Sequence, residues 1–458
     1  MFEYKKNIKK NFKSSFKWNL FGSGFYESLK ILHQIFLLKI MHSAAYGLQG
    51  SIFSIIYLTV YLTEFGMSNS ITPFLNFFVK SKENFKKIFL FYYLTPQIII
   101  FVIASIITTY FYSKSFLYKQ NNPFIFLILL IIPFEGIRIF LRRLLHTLFL
   151  SKRVIITETV LVTFYVSTVW ICYLFFNFKI TQNLVFIPYL IDTFLGVSIF
   201  SFYVFNFYKK LNNKKLDYPE NLLIRIIKTR FFNYSIQVGK NFFTGNFLTP
   251  FFASGFGLEK AGIFNLANHI AESIKSIMKV TFIFSGNALL ARIKDSSLSV
   301  KRLAFNALSK NLSLIIYPII IFVLINYKNL IKLKNMYFLT SNTILQSSIF
   351  SIIALLEYFF IIYEQFYIVE EKTARLFLFK IFEFALFYIF ILLKNFANPI
   401  LALISIFIVK VLSLLLISIN AYILWKIKPD FRINSIYLFI CTIISLLFYL
   451  IFQYIFLA

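Results

Sequence analysis

Apolar runs long enough to cross a bilayer recur along almost the whole chain. Residues 96–112, PQIIIFVIASIITTYFY, carry no charge, and 398–425, NPILALISIFIVKVLSLLLISINAYILW, carry one, Lys410. A helix of about 20 apolar residues crosses the ~30 Å hydrocarbon core. No backbone polar group can stay unpaired there, so such runs must be helical. Of the 458 residues, 59% are hydrophobic and 14% charged, against roughly a quarter charged in soluble domains. These runs dictate an all-α polytopic membrane protein.

Marking the runs predicts helices at 18–41, 46–78, 88–112, 123–149, 154–178 and 183–208. A basic gap follows, then helices at 231–256, 259–290, 308–327, 337–368, 373–394 and 398–425, with a thirteenth at 433–456. The expected plan is a cytoplasmic basic tail (1–17), an N-lobe (18–208), a basic linker (209–230), a C-lobe (231–425), and a linker with helix thirteen (426–458). With the N-terminus in the cytoplasm, the inside segments collect the basic residues. They include Lys5, Lys6, Lys9 and Lys10, then Lys82, Lys86 and Lys87, then Arg142, Arg143, Lys152 and Arg153. Lys301, Arg302, Lys426 and Lys428 continue the pattern, and only the outside group Lys328, Lys332 and Lys334 departs from it. Glu27, Lys30 and His33 in the first apolar run argue for an uncleaved helix rather than a signal peptide. Six helices in each half imply repeats related by a pseudo-two-fold along the membrane normal.

The formal net charge is +29, but most of it sits in short loops, so it does not imply a nucleic-acid partner. There is no GxxxxGK[ST], HExxH, GxSxG or CxxC. Asp192, Asp217, Asp295 and Asp430 are too scattered for an acidic metal pair, and Cys172 and Cys441 have no ligand-like neighbours. Nothing points to catalytic residues, a metal or a cofactor, and the reading is a transporter rather than an enzyme.

Ionisable groups inside a span cost about 2.5–3.5 kcal/mol each on insertion scales, so they persist where they face a cavity or pair. In the first helix, Ser23, Glu27, Lys30 and Gln34 share a face at helical spacing. In the second, Gly50, Ser54, Tyr57, Tyr61 and Glu64 do the same, and in the seventh, Gln237, Lys240 and Thr244. The eighth carries Asn265, Asn268, Glu272, Lys275 and Lys279, with His269 nearby. The first two helices of each half are thus polar on one face, which predicts one shared wet cavity. The candidate cavity residues are Glu27, Lys30, Gln34, Glu64, Lys240, His269, Glu272 and Lys275. Each has a plainer reading: Glu272 and Lys275 can neutralise each other, Lys279 can snorkel, and the asparagines can join helices. Glu135 and Arg138 form an i,i+3 pair, as do Lys380 and Glu383. Asp192, Glu158, Glu364 and Lys410 have no partner visible in sequence, and Asp192 is a candidate coupling-ion site.

The chain resembles the polysaccharide flippases, or O-antigen translocases, of the multidrug/oligosaccharidyl-lipid/polysaccharide (MOP) exporter superfamily. The resemblance covers about 18–425. It rests on the basic tail, Trp18–Asn19, Tyr46–Gly47 in the first turn, Phe65–Gly66–Met67 closing helix two, and AGIFNLANHI at 261–270. It implies a MATE-like fold of two six-helix lobes in a V, with helices one, two, seven and eight around a central cavity. It implies that a polyprenyl-diphosphate-linked oligosaccharide moves from inner to outer leaflet by alternating access, for surface polysaccharide assembly. Lys30, Lys240 and Lys275 would meet the anionic head, and a Na+, H+ or other ion gradient would drive the cycle. The expected location is a bacterial-type inner membrane, with polysaccharide assembly proteins as partners. Rival readings are a multidrug cation antiporter of the same superfamily, a peptidoglycan-precursor flippase, and a membrane polymerase or acyltransferase using His33 or His269.

Overall fold

The computed structural model describes residues 2–41, 43–79, 81–114, 125–176, 182–211, 221–241, 296–310, 362–392, 399–427 and 439–447, with single positions elsewhere, among them Asn265 and Ser276. Every regular element among the described residues is helical. In chain order these are α1 (Phe2–Ile40), α2 (Ser43–Thr63), α3 (Met67–Phe78), α4 (Lys82–Phe85), a π-helical stretch Lys86–Leu94, and α5 (Thr95–Lys114). Then come α6 (Ile125–Thr147), α7 (Ser151–Leu174), α8 (Gln182–Lys209), α9 (Leu222–Asn241), α10 (Thr373–Leu392) and α11 (Pro399–Trp425). Residues 298–310, 362–369 and 439–447 are helical as well.

Apolar faces sort into those packed on other helices and those turned outward. On α5, Phe101, Ala104 and Tyr112 are buried, while Ile99, Val102, Ile103, Ile106, Ile107 and Phe111 are exposed. Such an outward apolar face is stable only in lipid. Five helices among the described residues are long and apolar enough to span a bilayer, including Ser151–Leu174 and Leu184–Lys209. In the first half, α6 packs on α5 and α8, and α1 packs on α7. In the second, α10 lies between α9 and α11.

Three elements differ from expectation. First, α1 runs unbroken through the basic tail to Phe2. That segment holds neither Gly nor Pro, and Ser15 Oγ donates to Ser151 Oγ at 2.6 Å, tying it to the start of α7. Second, the predicted helix 46–78 is two helices. Phe65 and Gly66 both have positive φ, 48° and 65°, which turns the chain out of the α region. Third, α9 begins at Leu222, inside the expected linker, because LLIRIIKT supplies a buried face at helical spacing, Leu222 and Ile226 with Thr229.

The two halves repeat one corner in atomic detail. Before α7, Phe149 has φ 61°, Phe149 N donates to His146 O at 3.0 Å, and Leu150 N to Leu145 O at 2.9 Å. Before α10, Glu371 has φ 56°, Glu371 N donates to Ile368 O at 3.1 Å, and Lys372 N to Tyr367 O at 2.8 Å. The following bonds, Arg153 N to Leu150 O and Arg375 N to Lys372 O, correspond too. The same turn thus joins matching helices in each half.

Candidate functional site

The predicted polar face of α1 meets helix eight. Glu27 is buried, and its Oε1 accepts from Ser276 Oγ at 2.6 Å and from Lys30 Nζ at 3.3 Å. Lys30 keeps 41% of its side chain exposed, lies over the Tyr26 ring at 5.0 Å, and its charge also acts on Glu158 and Asp192. One turn on, Gln34 Oε1 accepts from the Tyr46 hydroxyl at 2.9 Å. Ser23, the first of the stripe, turns back to bond the Asn19 carbonyl.

On α2, a methyl group on Gly50 would sit 2.3 Å from the side chain of Asn265. Asn265 and Ser276 are both described and helical. Ser276 thus meets α1 and Asn265 lies against α2. At the far end of α2, Glu64 Oε2 accepts from Gln237 Nε2 on α9 at 2.8 Å. The structure thus joins Glu27 and Glu64 to the second half, sets Lys30 beside Glu27 and links Gln34 to α2. Lys240 is the penultimate residue of α9. His269, Glu272 and Lys275 lie outside the described residues, as do Asn268 and Lys279.

Sequence reasoning missed the larger feature, a buried ionic cluster across α6, α7 and α8. Arg138 meets Asp192 at 2.6 Å, Glu158 at 2.8 Å and Glu135 at 3.6 Å, and Arg142 meets Glu158 at 3.8 Å. Only the Glu135–Arg138 pair was legible, because only it lies on one helix. Asp192 Oδ2 is held by Arg138, while its Oδ1 is buried without a hydrogen-bond partner. Tyr57 and Tyr189 bond each other at 2.5 Å beside the cluster, joining α2 to α8. The signal in sequence was three partnerless charges, Arg142, Glu158 and Asp192, on consecutive helices.

The second half holds a counterpart of opposite polarity. Lys380 meets Glu383 at 2.5 Å and Glu364 at 3.7 Å, and Lys410 also bonds Glu383. Glu158 and Lys380 are each the eighth residue of the helix after the repeated corner. Their partners, Arg142 and Glu364, stand at matching places before that corner. The pair therefore recurs with its charges exchanged, at 3.8 Å and 3.7 Å.

His33, considered for acyl transfer, is buried in packing. Its Nδ1 accepts from Trp170 Nε1 at 3.1 Å, and its Nε2 lies 3.3 Å from the Tyr165 hydroxyl. Both ring nitrogens are engaged by α7, which leaves neither aimed at a substrate.

No protein-family model matches the chain, and no curated protein matches it. Solved structures do. A mutant of the Vibrio cholerae MATE transporter VcmN is similar over 92% of this chain and 97% of its own, with TM-score 0.61 and 12% identity. An outward-facing multidrug resistance MATE family transporter of the MOP superfamily covers 92% of this chain and 96% of its own, with TM-score 0.64 and 11% identity. A MATE in the bent conformation covers 96% and 98%, with TM-score 0.60 and 12% identity. At these identities the likeness is one of fold. The chain is a multi-pass, all-α membrane protein with the two-lobed fold of the MATE transporters.

Proposed function

We propose that this protein is an alternating-access flippase for an anionic, lipid-linked oligosaccharide, a polyprenyl diphosphate carrying sugars. The observation that carries this reading is Lys30. It is a half-exposed cation on the polar stripe of α1, tethered to Glu27 at 3.3 Å rather than sealed in a dry pair. A diphosphate offers a stronger acceptor than the shared Glu27 oxygen. The sugar head needs a wet path, because its hydroxyls cannot enter hydrocarbon unpaired, while the polyprenyl tail stays in the lipid. Rocking of the two lobes would expose the path to each side in turn. Asp192, with one oxygen open, is the residue we assign to ion coupling, and the N-terminus we assign to the cytoplasm.

The test is complementation of a bacterial strain lacking its polysaccharide flippase. Restored surface polymer is the expected outcome. Well-inserted protein with no polymer, across strains of different sugar type, overturns the substrate class.

A second reading, a multidrug cation antiporter, is favoured by two observations. One similar structure is named as a multidrug resistance transporter, and the α6–α8 cluster holds three acids against two arginines. Efflux of an organic cation dye from cells expressing the protein, abolished by Asp192→Asn, would establish this reading in place of the first.

A further inference from the structure

We propose that Phe65, Gly66 and Arg230 form the lock that closes one mouth of the transport path and opens once per cycle. This rests on the transport reading but not on which substrate is carried.

The lock lies at the end of the molecule that carries the start of α7 and the basic linker. There α2 ends, and its last carbonyls have no partner within the helix. The left-handed pair Phe65–Gly66 turns the chain aside and leaves one carbonyl, Phe65 O, facing Arg230 on α9 of the other half. Arg230 supplies the donors. Its Nε donates to Phe65 O at 3.3 Å, and its second guanidinium nitrogen to Gln97 Oε1 at 3.1 Å. Gln97 Nε2 in turn donates to Thr63 O at 2.5 Å. A cation at the negative end of the α2 dipole adds to the attraction.

Gly66 makes the approach possible. A Cβ there would lie 2.4 Å from Arg230 O and 2.7 Å from Tyr234 N, both of them backbone atoms. The corner and α9 therefore touch backbone to backbone. On either side, the Phe65 ring stacks on Tyr234 with centroids 4.6 Å apart, and Glu64 accepts from Gln237 at 2.8 Å. Residues 64, 65 and 66 thus meet 237, 234 and 230, successive turns of one face of α9. This gives Phe65–Gly66–Met67, conspicuous in the sequence, a physical task.

The lock is built of hydrogen bonds and one ring stack, which water can replace. It joins α2 to α9, the helices whose polar stripes face the proposed cavity. Separating them at this point opens that cavity toward the basic end.

The test uses the full chain with Cys172→Ser and Cys441→Ser. Adding Phe65→Cys and Tyr234→Cys allows an oxidant to cross-link the two halves. The expected result is a cross-link that lowers polysaccharide export at least tenfold relative to the same double variant kept reduced, and that is reversed by dithiothreitol. A cross-link that leaves export unchanged, or a pair that does not cross-link, overturns the lock. A second readout needs no substrate: labelling of Lys30→Cys by a membrane-impermeant maleimide applied to the basic side. Arg230→Ala is expected to raise that labelling severalfold and the cross-link to suppress it, and no change in either overturns the lock. If the doubly serine-substituted chain itself exports nothing while labelling responds as stated, the substrate reading fails and the lock stands.

Discussion

Arg138 reaches from α6 to Asp192 on α8 and holds it at 2.6 Å inside the membrane. The same guanidinium meets Glu158 and Glu135, so removing it takes the ion-pair partner from Asp192 and Glu135 and leaves Glu158 only Arg142, at 3.8 Å. Breaking a buried pair by deleting one partner costs about 3–5 kcal/mol. Arg138→Leu is expected to lose that much or more, and Asp192→Asn less, because Glu158 still pairs. Thermal unfolding of the detergent-solubilised protein measures both; equal, small shifts would contradict the cluster's geometry.

The second-half cluster can be tested by exchange. Glu364→Lys alone sets like charges beside Lys380, and Lys380→Glu alone sets acids beside Glu364 and Glu383. The double variant restores the Glu364–Lys380 polarity in reverse but leaves Glu383 against a glutamate. Neighbouring ionic sites couple by about 0.5–3 kcal/mol. The double variant is expected to unfold at a higher temperature than the sum of the singles implies, and strict additivity would show that the 3.7 Å approach carries no energy.

Lys30 separates the two functional readings. Lys30→Gln removes the cation and is expected to cut export of an anionic lipid-linked sugar at least tenfold at equal membrane abundance, with Lys30→Arg retaining part of it. Export unaffected by Lys30→Gln would remove the reason for assigning an anionic substrate. If the protein instead moves organic cations, loss of the Lys30 charge is expected to help rather than hinder.

Gly50 and Asn265 form a reciprocal pair. A Cβ at Gly50 runs into the buried Asn265 amide, so Gly50→Ala is expected to cost about 1–3 kcal/mol, the usual range for overpacking. Asn265→Ala in the same chain should recover most of it. Unfolding temperatures of the two singles and the double decide this; no recovery would mean that helix eight does not approach α2 at this point.

Much of the fold was legible because hydropathy and length alone position a membrane helix. The predicted spans 373–394 and 398–425 correspond to Thr373–Leu392 and Pro399–Trp425. The predicted span 46–78 passes over the break at Phe65–Gly66, although TEFGMSNS at 63–70 is largely polar and the resemblance puts Phe65–Gly66–Met67 at the close of helix two. In the site, the stripes on α1 and α2 could be read from 3.6-residue spacing, and Glu27 and Glu64 do reach second-half helices. The contacts of Glu158 and Asp192 could not, because they join residues on different helices and no one-dimensional period records such a meeting. Arg142 and Arg143 looked like ordinary loop charges, yet they lie in the last turns of α6 and are half-buried.

A chain made from two versions of one helix plan must keep the versions apart while it inserts. The exchanged pair supplies a means. If α6 were to settle against α10, Arg142 would face Lys380, and if the helix at 362–369 settled against α7, Glu364 would face Glu158. Like charges brought together away from water cost several kcal/mol, whereas each helix finds an opposite charge only in its own half. The polarity of one ionic contact would thus act as an address that sorts nascent helices into the correct half. Giving both halves the same polarity, by Arg142→Glu with Glu158→Arg, is expected to lower the yield of inserted protein; because Glu158→Arg also sets a cation against Arg138, the melting temperature of the fraction that folds falls too, and an unchanged yield would contradict the address.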